Sequence, residues 1–300
     1  MFGSQYASYY VWHNLVCRLG GRQKPLLAGF KITHRCNLRC RACPFWRRPG
    51  DDVSFDRAIE AMDQLHAAGV RNLIFEGGEP LLWRDGEHQI EALVAEAKKR
   101  FFAVGITTNG TLPLESEANI VWVSVDGMRE THNQNRGLVF DQVMENIRAS
   151  SHPKLLANIT ISRLNVDEIP EVVRFLADIE QLKGITIQFF YPYAESENLE
   201  LTPGQRREVL GRLIDMKREG YPLLDSIPVL EALKENTWRC HDWLIADAEP
   251  DGSVTYGCYL KNRGEVDCSK CGFAAHAELS LAFDANLRAI DAGRKIFSFC

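Results

Sequence analysis

The chain has 300 residues and a formal net charge of −5, with 45% hydrophobic and 25% charged residues. This ordinary globular composition allows one large core with a small appendage, and the acidic balance gives no reason to expect nucleic acid as a partner. No run of about 18 uncharged apolar residues occurs, and the start lacks the basic region of a secretory signal. The nine cysteines fall into two tight sets and two singles, which suits metal ligation in a reducing compartment. We therefore expect a cytoplasmic protein.

Residues 1–26 form the first predicted element, a helical segment with an aromatic and aliphatic stripe that breaks at Gly20 and Gly21. This helix either caps the domain or contacts a membrane or an apolar substrate. Its few lysines and arginines disfavour strong anchoring to anionic lipid, so a membrane contact would be peripheral. The stripe consists of Tyr6, Tyr9, Tyr10, Trp12, Leu15 and Val16.

From residue 27 onward, short apolar runs alternate with amphipathic segments, the pattern of a parallel sheet covered by helices. We predict an α/β fold, a partial (β/α)6 TIM-like barrel over residues 27–222, with a small cysteine-rich C-terminal extension over 223–300. The functional site should lie at the C-terminal ends of the strands. The predicted strands are 29–33, 72–75, 103–107, 120–125, 156–162 and 185–190, and the predicted helices are 54–68, 88–99, 140–149, 167–179 and 202–219.

Three cysteines follow the first predicted strand within eight residues, at Cys36, Cys40 and Cys43. Three thiolates can hold three irons of a cubane 4Fe-4S cluster and leave the fourth iron open to a ligand that is not protein. The spacing alone is also compatible with a zinc knuckle that lacks its fourth ligand, or with three chance cysteines.

Later strands also end in polar motifs. Glu76-Gly77-Gly78-Glu79-Pro80 combines two glycines, which allow a close backbone approach, with a carboxylate that can pair with an ammonium group. Hydroxyls and amides at the next strand ends suit sugar hydroxyls, and an arginine suits a carboxylate. For each of these residues, ordinary turn chemistry is the alternative. They are Thr108, Asn109, Ser124, Asp126 and Arg136.

Taken together, the C-x3-C-x2-C, GGEP, TNG and S-x-D-G…RG stretches resemble the radical S-adenosylmethionine (SAM) superfamily. The resemblance implies that the cluster on Cys36, Cys40 and Cys43 chelates SAM and cleaves it reductively to a 5′-deoxyadenosyl radical. The electron would come from a low-potential ferredoxin or flavodoxin, and the protein would be oxygen-sensitive. The implied SAM-binding residues are Gly77, Gly78, Glu79 and Pro80 near the amino group, Ser124 at the ribose, Arg136 at the carboxylate, and Thr108, Asn109 and Asp126.

One position departs from that pattern. Many members of the superfamily have an aromatic residue immediately before the third cysteine, where it contacts the adenine, whereas this chain has Ala42. Phe45 and Trp46 follow shortly after. We therefore expect one of these two residues to line the adenine region.

Four further cysteines lie near the C-terminus, at Cys240, Cys258, Cys268 and Cys271, around a predicted hairpin over 248–259 whose turn is at 250–252. The pattern is similar to the SPASM or twitch type of extension, which implies a second, auxiliary 4Fe-4S cluster. Gly252 is separated from Cys258 by five residues instead of the usual four, so the ligand assignment could shift, with Cys300 as a spare ligand. A closed zinc site is the structural alternative.

The substrate is open at this point. Alternate residues of the sixth strand, such as Gln188 and Phe190, should face the barrel interior. The aromatic run that follows and a faint similarity of residues 268–279 to the radical SAM enzyme that adenosylates hopanoid precursors suggest a hydrophobic lipid or isoprenoid substrate. Alternatives are a peptide or a small metabolite. A zinc scaffold or an Fe-S electron carrier without SAM chemistry is the alternative from another class.

Overall fold

The computed structural model describes residues 2–193, 198–261 and 266–297. Its helices are α1 (Phe2–Leu19), α2 (Phe55–Ala68), α3 (Ile90–Lys98), α4 (Arg129–Arg136), α5 (Phe140–Ala149), α6 (Ile169–Ala177), α7 (Pro203–Arg218), α8 (Ile227–Glu235), α9 (Ala274–Phe283) and α10 (Leu287–Phe297). Its strands are β1 (Leu27–Thr33), β2 (Asn72–Gly77), β3 (Arg84–Asp85), β4 (His88–Gln89), β5 (Ala103–Thr108), β6 (Ile120–Ser124), β7 (Leu155–Ile161), β8 (Leu182–Phe189), β9 (Ile245–Ala248) and β10 (Val254–Tyr256).

Eight strands form one sheet in the order β10-β9-β1-β2-β5-β6-β7-β8. All neighbours are parallel except β9 and β10. This confirms the predicted α/β class with a partial barrel. Residues 109–119, between β5 and β6, form a loop, and no helix was predicted there. Gly110, at φ +78°, and Pro113 make that segment unsuitable for a helix.

The side chains of β1 show how the sheet separates its two faces. Ala28, Phe30 and Ile32 are fully buried in an apolar cluster with residues of α2 and α3. Because successive side chains of a strand alternate between faces, Lys31 and Thr33 point to the inner face. The same alternation in the other strands places one set of side chains under the helices and the other inside the barrel.

The inner face is apolar near the N-terminal ends of the strands. Ile120, Trp122 and Leu156 form a buried cluster there with Ile296 of α10. The end of α10 therefore fills the lower barrel. Any space for a ligand inside the barrel must lie above this layer, toward the C-terminal ends of the strands.

Helix α1 covers the same lower end from outside. The Tyr9 hydroxyl donates to the Gly69 carbonyl at 2.8 Å, and Tyr6 packs against Phe102 with ring centroids 4.3 Å apart. One face of the helix therefore packs against the domain, as expected of a capping helix. Its other face exposes Leu15 and Leu19, so a peripheral membrane contact stays a prediction. None of the described helices is long and apolar enough to cross a bilayer.

The predicted C-terminal hairpin begins three residues earlier than expected, at 245 instead of 248. Strand β9 pairs in parallel with β1, from Leu27 opposite Ile245 to Phe30 opposite Ala248. Strand β9 thus extends the main sheet by pairing with the open edge of β1. The turn lies as predicted, with Gly252 at φ +80°. Since the C-terminal segment shares a sheet with the barrel, a division between domains at residue 222 stays a prediction.

Candidate metal and cofactor site

The first cysteine set lies in the loop after β1, at the C-terminal ends of the parallel strands. All three residues are partly buried. Burial raises the pKa of Cys40 to about 11 and also raises the pKa values of Cys36 and Cys43. The three residues lie within eight positions of one loop, and their thiols are close enough to influence one another electrostatically. A bound cation would favour the thiolate forms that metal ligation requires.

Gly77 and Gly78 bring the turn after β2 directly against the cysteine loop. The Gly78 N–H donates to the Thr33 carbonyl at 2.8 Å, and the Glu79 N–H donates to the Arg35 carbonyl at 2.8 Å. A Cβ on Gly77 would lie 2.2 Å from the Thr33 oxygen, and one on Gly78 would lie 2.1 Å from the Arg35 oxygen. The glycines are therefore required by a close approach of two backbones.

The carboxylate of Glu79 is fully enclosed, with 0% exposure. One oxygen accepts from the Thr108 hydroxyl at 2.7 Å and the Leu81 N–H at 3.1 Å, and the other accepts from the Asn109 N–H at 2.7 Å. Burial raises the pKa of this carboxyl group. Glu79 thus joins the turn after β2 to the loop after β5.

Asn109 continues this network to the cysteine loop. Its side-chain amide donates to the Asn37 carbonyl oxygen at 2.8 Å, and the Asn37 amide donates to the Thr111 hydroxyl at 2.7 Å. The motif around Thr108 therefore positions the loop that carries Cys36. A direct role of these residues at a cofactor stays a prediction.

Helix α4 holds the other side of the loop through Asn135, which sequence analysis did not single out. The Arg41 N–H donates to the Asn135 backbone carbonyl at 2.9 Å, and the Ala42 N–H donates to its side-chain oxygen at 3.1 Å. Its amide donates in turn to Asp126 at 2.7 Å. Its place beside Arg136 in the motif was the only signal in the sequence.

Arg136 is the buried cation of the site. Its Nε donates to Asp126 Oδ2 at 2.7 Å. Burial would raise the pKa of Asp126, but the guanidinium outweighs this effect and holds that pKa below its usual value. The same positive charge acts to lower the pKa values of Cys40 and Cys43. Ser124, at the end of β6, is 7% exposed on the inner face.

The side chains of Phe45 and Trp46 contact different residues. Phe45 packs edge-on against Tyr193, with ring centroids 5.3 Å apart. The Trp46 indole donates to the Cys40 carbonyl at 3.2 Å, and the Arg47 guanidinium lies 4.5 Å from its ring centroid. A contact of either residue with an adenine ring stays a prediction.

The second cysteine set is assembled from separate elements. Cys240 lies between α8 and β9, Cys258 follows β10, and Cys268 and Cys271 bracket a short turn before α9. The pKa of Cys240 is raised to about 12. The causes are partial burial of its sulfur, the negative charge of Asp242 and the nearby thiols of Cys271 and Cys258. The thiols of Cys258 and Cys271 thus lie near that of Cys240, and the ligand role of the four cysteines stays a prediction. The spare candidate, Cys300, lies outside the described residues.

Neither set is arranged around a single ion. Within the described ranges, no group of three or more His, Cys, Asp or Glu side chains could hold one metal ion. A zinc site needs four sulfur atoms about 2.3 Å from a common centre. A cubane cluster binds each thiolate at a different iron, so its ligands are more widely spaced. The thiolate donors suit an Fe-S cluster, and the identity of the group at each set stays a prediction.

The upper inner wall of the barrel is polar, which the sequence analysis missed. On one side, Lys31 Nζ lies 2.6 Å from Asp247 Oδ1 and 3.0 Å from Glu76 Oε1. Burial, opposed by Lys31, raises the pKa of Asp247. On the other side, the Gln188 amide donates to the Thr160 hydroxyl at 3.2 Å. The indication of this polar wall in the sequence was Lys31, a lysine within an otherwise apolar strand.

Residues 30–176 match the family model described as the radical SAM superfamily. The chain is 27% identical over 268 residues to the Fe-coproporphyrin III synthase of Methanosarcina barkeri, an alignment that covers 81% of this chain and 60% of that protein. It is 29% identical over 170 residues to the sporulation killing factor maturation protein SkfB of Bacillus subtilis, which covers 51% of this chain and 40% of that protein. The chain thus spans about half the length of these curated relatives.

A solved structure shares the fold. The crystal structure of Streptococcus suis SuiB bound to S-adenosylmethionine superposes with a TM-score of 0.66 at 14% sequence identity. The alignment covers 96% of this chain and 73% of that one. At this identity the likeness concerns the fold alone.

Proposed function

Because residues 30–176 match the model of the radical SAM superfamily, we propose that the protein cleaves SAM reductively and uses the 5′-deoxyadenosyl radical to modify a substrate. One observation carries the proposal. The three thiols of Cys36, Cys40 and Cys43 share one loop, and that loop is held by motifs from the ends of three other strands. A zinc scaffold or a simple electron carrier would not require this arrangement.

The three cysteines would hold a 4Fe-4S cluster, for which their donor type and spacing are suitable. When bound, the cluster supplies the electron that breaks the C5′–S bond of SAM. Arg136, whose Nε–H already binds Asp126, has further N–H groups that would orient the SAM carboxylate. The backbone at Gly77 and Gly78 would receive the amino group, and Ser124 would bind the ribose. Glu79 acts through the loops it joins, since its oxygens already accept hydrogen bonds within the protein.

A second cluster belongs to the same proposal. Cys240, Cys258, Cys268 and Cys271 would hold it, since the thiols of Cys258 and Cys271 influence that of Cys240 and the sequence pattern is similar to the SPASM type. A closed zinc site is the alternative. Cys258 is followed by Tyr259, whose hydroxyl lies 2.7 Å from that of Tyr193 beside the mouth of the barrel.

The polar inner wall favours a polar substrate. Lys31, Glu76 and Asp247 face the interior from one side, and Thr160 and Gln188 face it from the other. These groups already pair with one another, but a hydrocarbon placed there would remove the water that solvates their remaining polar atoms, which costs free energy. An isoprenoid is therefore disfavoured. A peptide offers matching hydrogen-bond groups, and SkfB is named a sporulation killing factor maturation protein, so peptide modification is the second candidate.

Anaerobic reconstitution tests the proposal. The purified chain is loaded with iron and sulfide, iron, sulfide and zinc are quantified, and 5′-deoxyadenosine is assayed after addition of SAM and dithionite. We expect about eight irons per chain and 5′-deoxyadenosine formation. About four irons with zinc would keep the SAM chemistry and reassign the C-terminal set. No iron and no cleavage would overturn the proposal.

A further inference from the structure

A cluster of flat cationic and aromatic side chains lies on the outside of the cysteine loop. We call Arg39, Trp46, Arg47 and Arg48 the arginine-tryptophan surface. The Arg39 and Arg47 guanidinium groups lie 5.7 and 4.5 Å from the centroid of the Trp46 ring, and Arg48 lies 4.6 Å from that of Phe45. Arg39 and Arg47 are exposed, and Trp46 is partly exposed. Tryptophan and arginine are the residues that most often dominate binding at protein interfaces.

The charge of this surface contrasts with that of the whole chain. The chain has a net charge of −5, yet residues 35–48 contain five arginines and no acidic residue. Arg35 is paired with Asp52. Within the described parts of the chain, no carboxylate lies within salt-bridge distance of Arg39 or Arg48. The surface is therefore a local positive region that would attract an acidic partner and repel a basic one.

The surface is directly connected to the candidate metal site. The Trp46 indole donates to the backbone carbonyl of Cys40. A protein that docks on this surface would therefore approach the cysteine ligands more directly than one that binds anywhere on the helices outside the sheet.

We propose that the arginine-tryptophan surface docks an acidic, flavin-containing electron carrier of the flavodoxin class. The inference rests on the proposed function, which needs one electron from outside for each SAM cleaved. The planar indole and guanidinium groups match the exposed edge of a reduced, anionic flavin, and acidic residues around that flavin would pair with the arginines. One electron leaves the flavin for the metal site, and no bond forms or breaks in this step.

The test compares binding and turnover in matched variants of the reconstituted chain. Arg39→Glu reverses the charge, Arg39→Lys keeps it, and Arg288→Glu makes the same reversal at an exposed position on α10. Oxidised flavodoxin is titrated onto each variant to obtain its dissociation constant. Formation of 5′-deoxyadenosine is then measured with reduced flavodoxin, with ferredoxin and with dithionite as alternative reductants.

We expect Arg39→Glu to weaken flavodoxin binding and slow flavodoxin-driven turnover by about tenfold, with a smaller change for Arg39→Lys and none for Arg288→Glu. Dithionite-driven turnover should stay within about twofold of the unsubstituted chain in all three, because dithionite needs no docking surface. Raising the ionic strength should weaken flavodoxin binding to the unsubstituted chain more than to Arg39→Glu.

Three results would overturn the inference. Flavodoxin binding that Arg39→Glu leaves unchanged would exclude this surface. An equal loss with dithionite would show that Arg39 acts on the site itself. If ferredoxin bound more tightly than flavodoxin, and if its binding depended on Arg39, the flavin-containing partner would be excluded. If no reductant yields 5′-deoxyadenosine, the proposed function fails, while the titration still decides the docking surface.

Discussion

The two cysteine sets reach their positions in different ways. Cys36, Cys40 and Cys43 lie within eight residues of one loop, and backbone groups of that loop bond to Asn135 and to the turn at Gly78. The C-terminal four are spread from Cys240 to Cys271 and come from separate elements. Cys240 and Cys268 are exposed, whereas every member of the first set is partly buried.

This difference separates a preorganised site from an assembled one. Ligands on a loop that is already held in place lose little conformational freedom on binding a metal. Ligands on separate elements depend on the packing of β9, β10 and α9 against the barrel. We therefore expect the first site to be sensitive to the residues that hold its loop, and the second to depend on the docking of the C-terminal region.

The largest effect should come from Cys40→Ala. Removing one of three ligands of the first set should lower 5′-deoxyadenosine formation by at least about 100-fold, while the C-terminal set keeps about four irons. Iron analysis and an anaerobic SAM-cleavage assay measure both effects. The matched control is Cys17→Ala on α1, which belongs to neither set. Substantial cleavage by Cys40→Ala would contradict the assignment of the site.

Glu79→Gln tests whether the first site is preorganised. An amide presents only one accepting atom, so a donor from Thr108, Leu81 or Asn109 would face an NH2 group in place of an oxygen. The expected cost is about 1–3 kcal/mol in the free energy of unfolding, with a loss of about tenfold in SAM cleavage. Urea denaturation and the cleavage assay measure them. If both values stay unchanged, the network does not position the loop.

Cys268→Ser is the converse of Cys40→Ala, because it removes a predicted ligand of the C-terminal set and leaves the first set intact. The chain should lose about half of its iron but still cleave SAM with dithionite within about twofold, because the loop of Cys36 does not depend on the C-terminal ligands. Iron content and 5′-deoxyadenosine are the readouts. An unchanged iron content would remove Cys268 from the ligand set, and complete loss of cleavage would show that the two sites are not separable.

The last prediction concerns the attachment of α9 and affects stability alone. Glu278 Oε2 accepts from the Ser226 N–H at 2.9 Å, and burial raises the pKa of Glu278 from 4.5 to about 8. Between these two values the folded state keeps a proton that the unfolded state has lost, so stability falls as pH rises. Glu278→Gln should lessen that fall by about 2–4 kcal/mol.

The measurement is the melting temperature at pH values from 5 to 8. In Glu278→Gln the melting temperature should fall less steeply with rising pH, but it should still fall. The reason is that burial also raises the pKa of nearby Asp225, to about 6. Glu145→Gln, the same substitution at an exposed position on α5, is the control and should keep the full slope. An identical slope in Glu278→Gln would assign the pH dependence to other groups.

Motifs with a local physical cause could be read from the sequence. The three cysteines, Gly77, Gly78 and the strand-end position of Asp126 all follow from spacing and turn chemistry, and the structure places them at one end of the barrel. Asn135 was missed because its hydrogen bonds go to Arg41 and Ala42, far away in the chain. No local pattern marks such a contact.

The polar inner wall of the barrel could not be predicted from the sequence for the same reason. An alternating strand pattern predicts which residues share a face, but it does not tell what lies on the opposite strand. Lys31 and Asp247 are separated by more than two hundred residues in the chain, and they meet only because β9 pairs with the open edge of β1. The expectation of an apolar substrate arose from the visible aromatic runs, whereas the polar wall depends on long-range strand pairing.

By itself the sequence determined the fold class, the superfamily resemblance and the candidate ligands, because periodicity, glycine requirements and cysteine spacing act over short stretches. Only the tertiary structure decided which residues hold the cysteine loop, how the C-terminal cysteines approach one another and that the upper barrel is polar. The physical reason is that these properties depend on contacts between segments distant in sequence. Such contacts are selected by the packing of the whole domain.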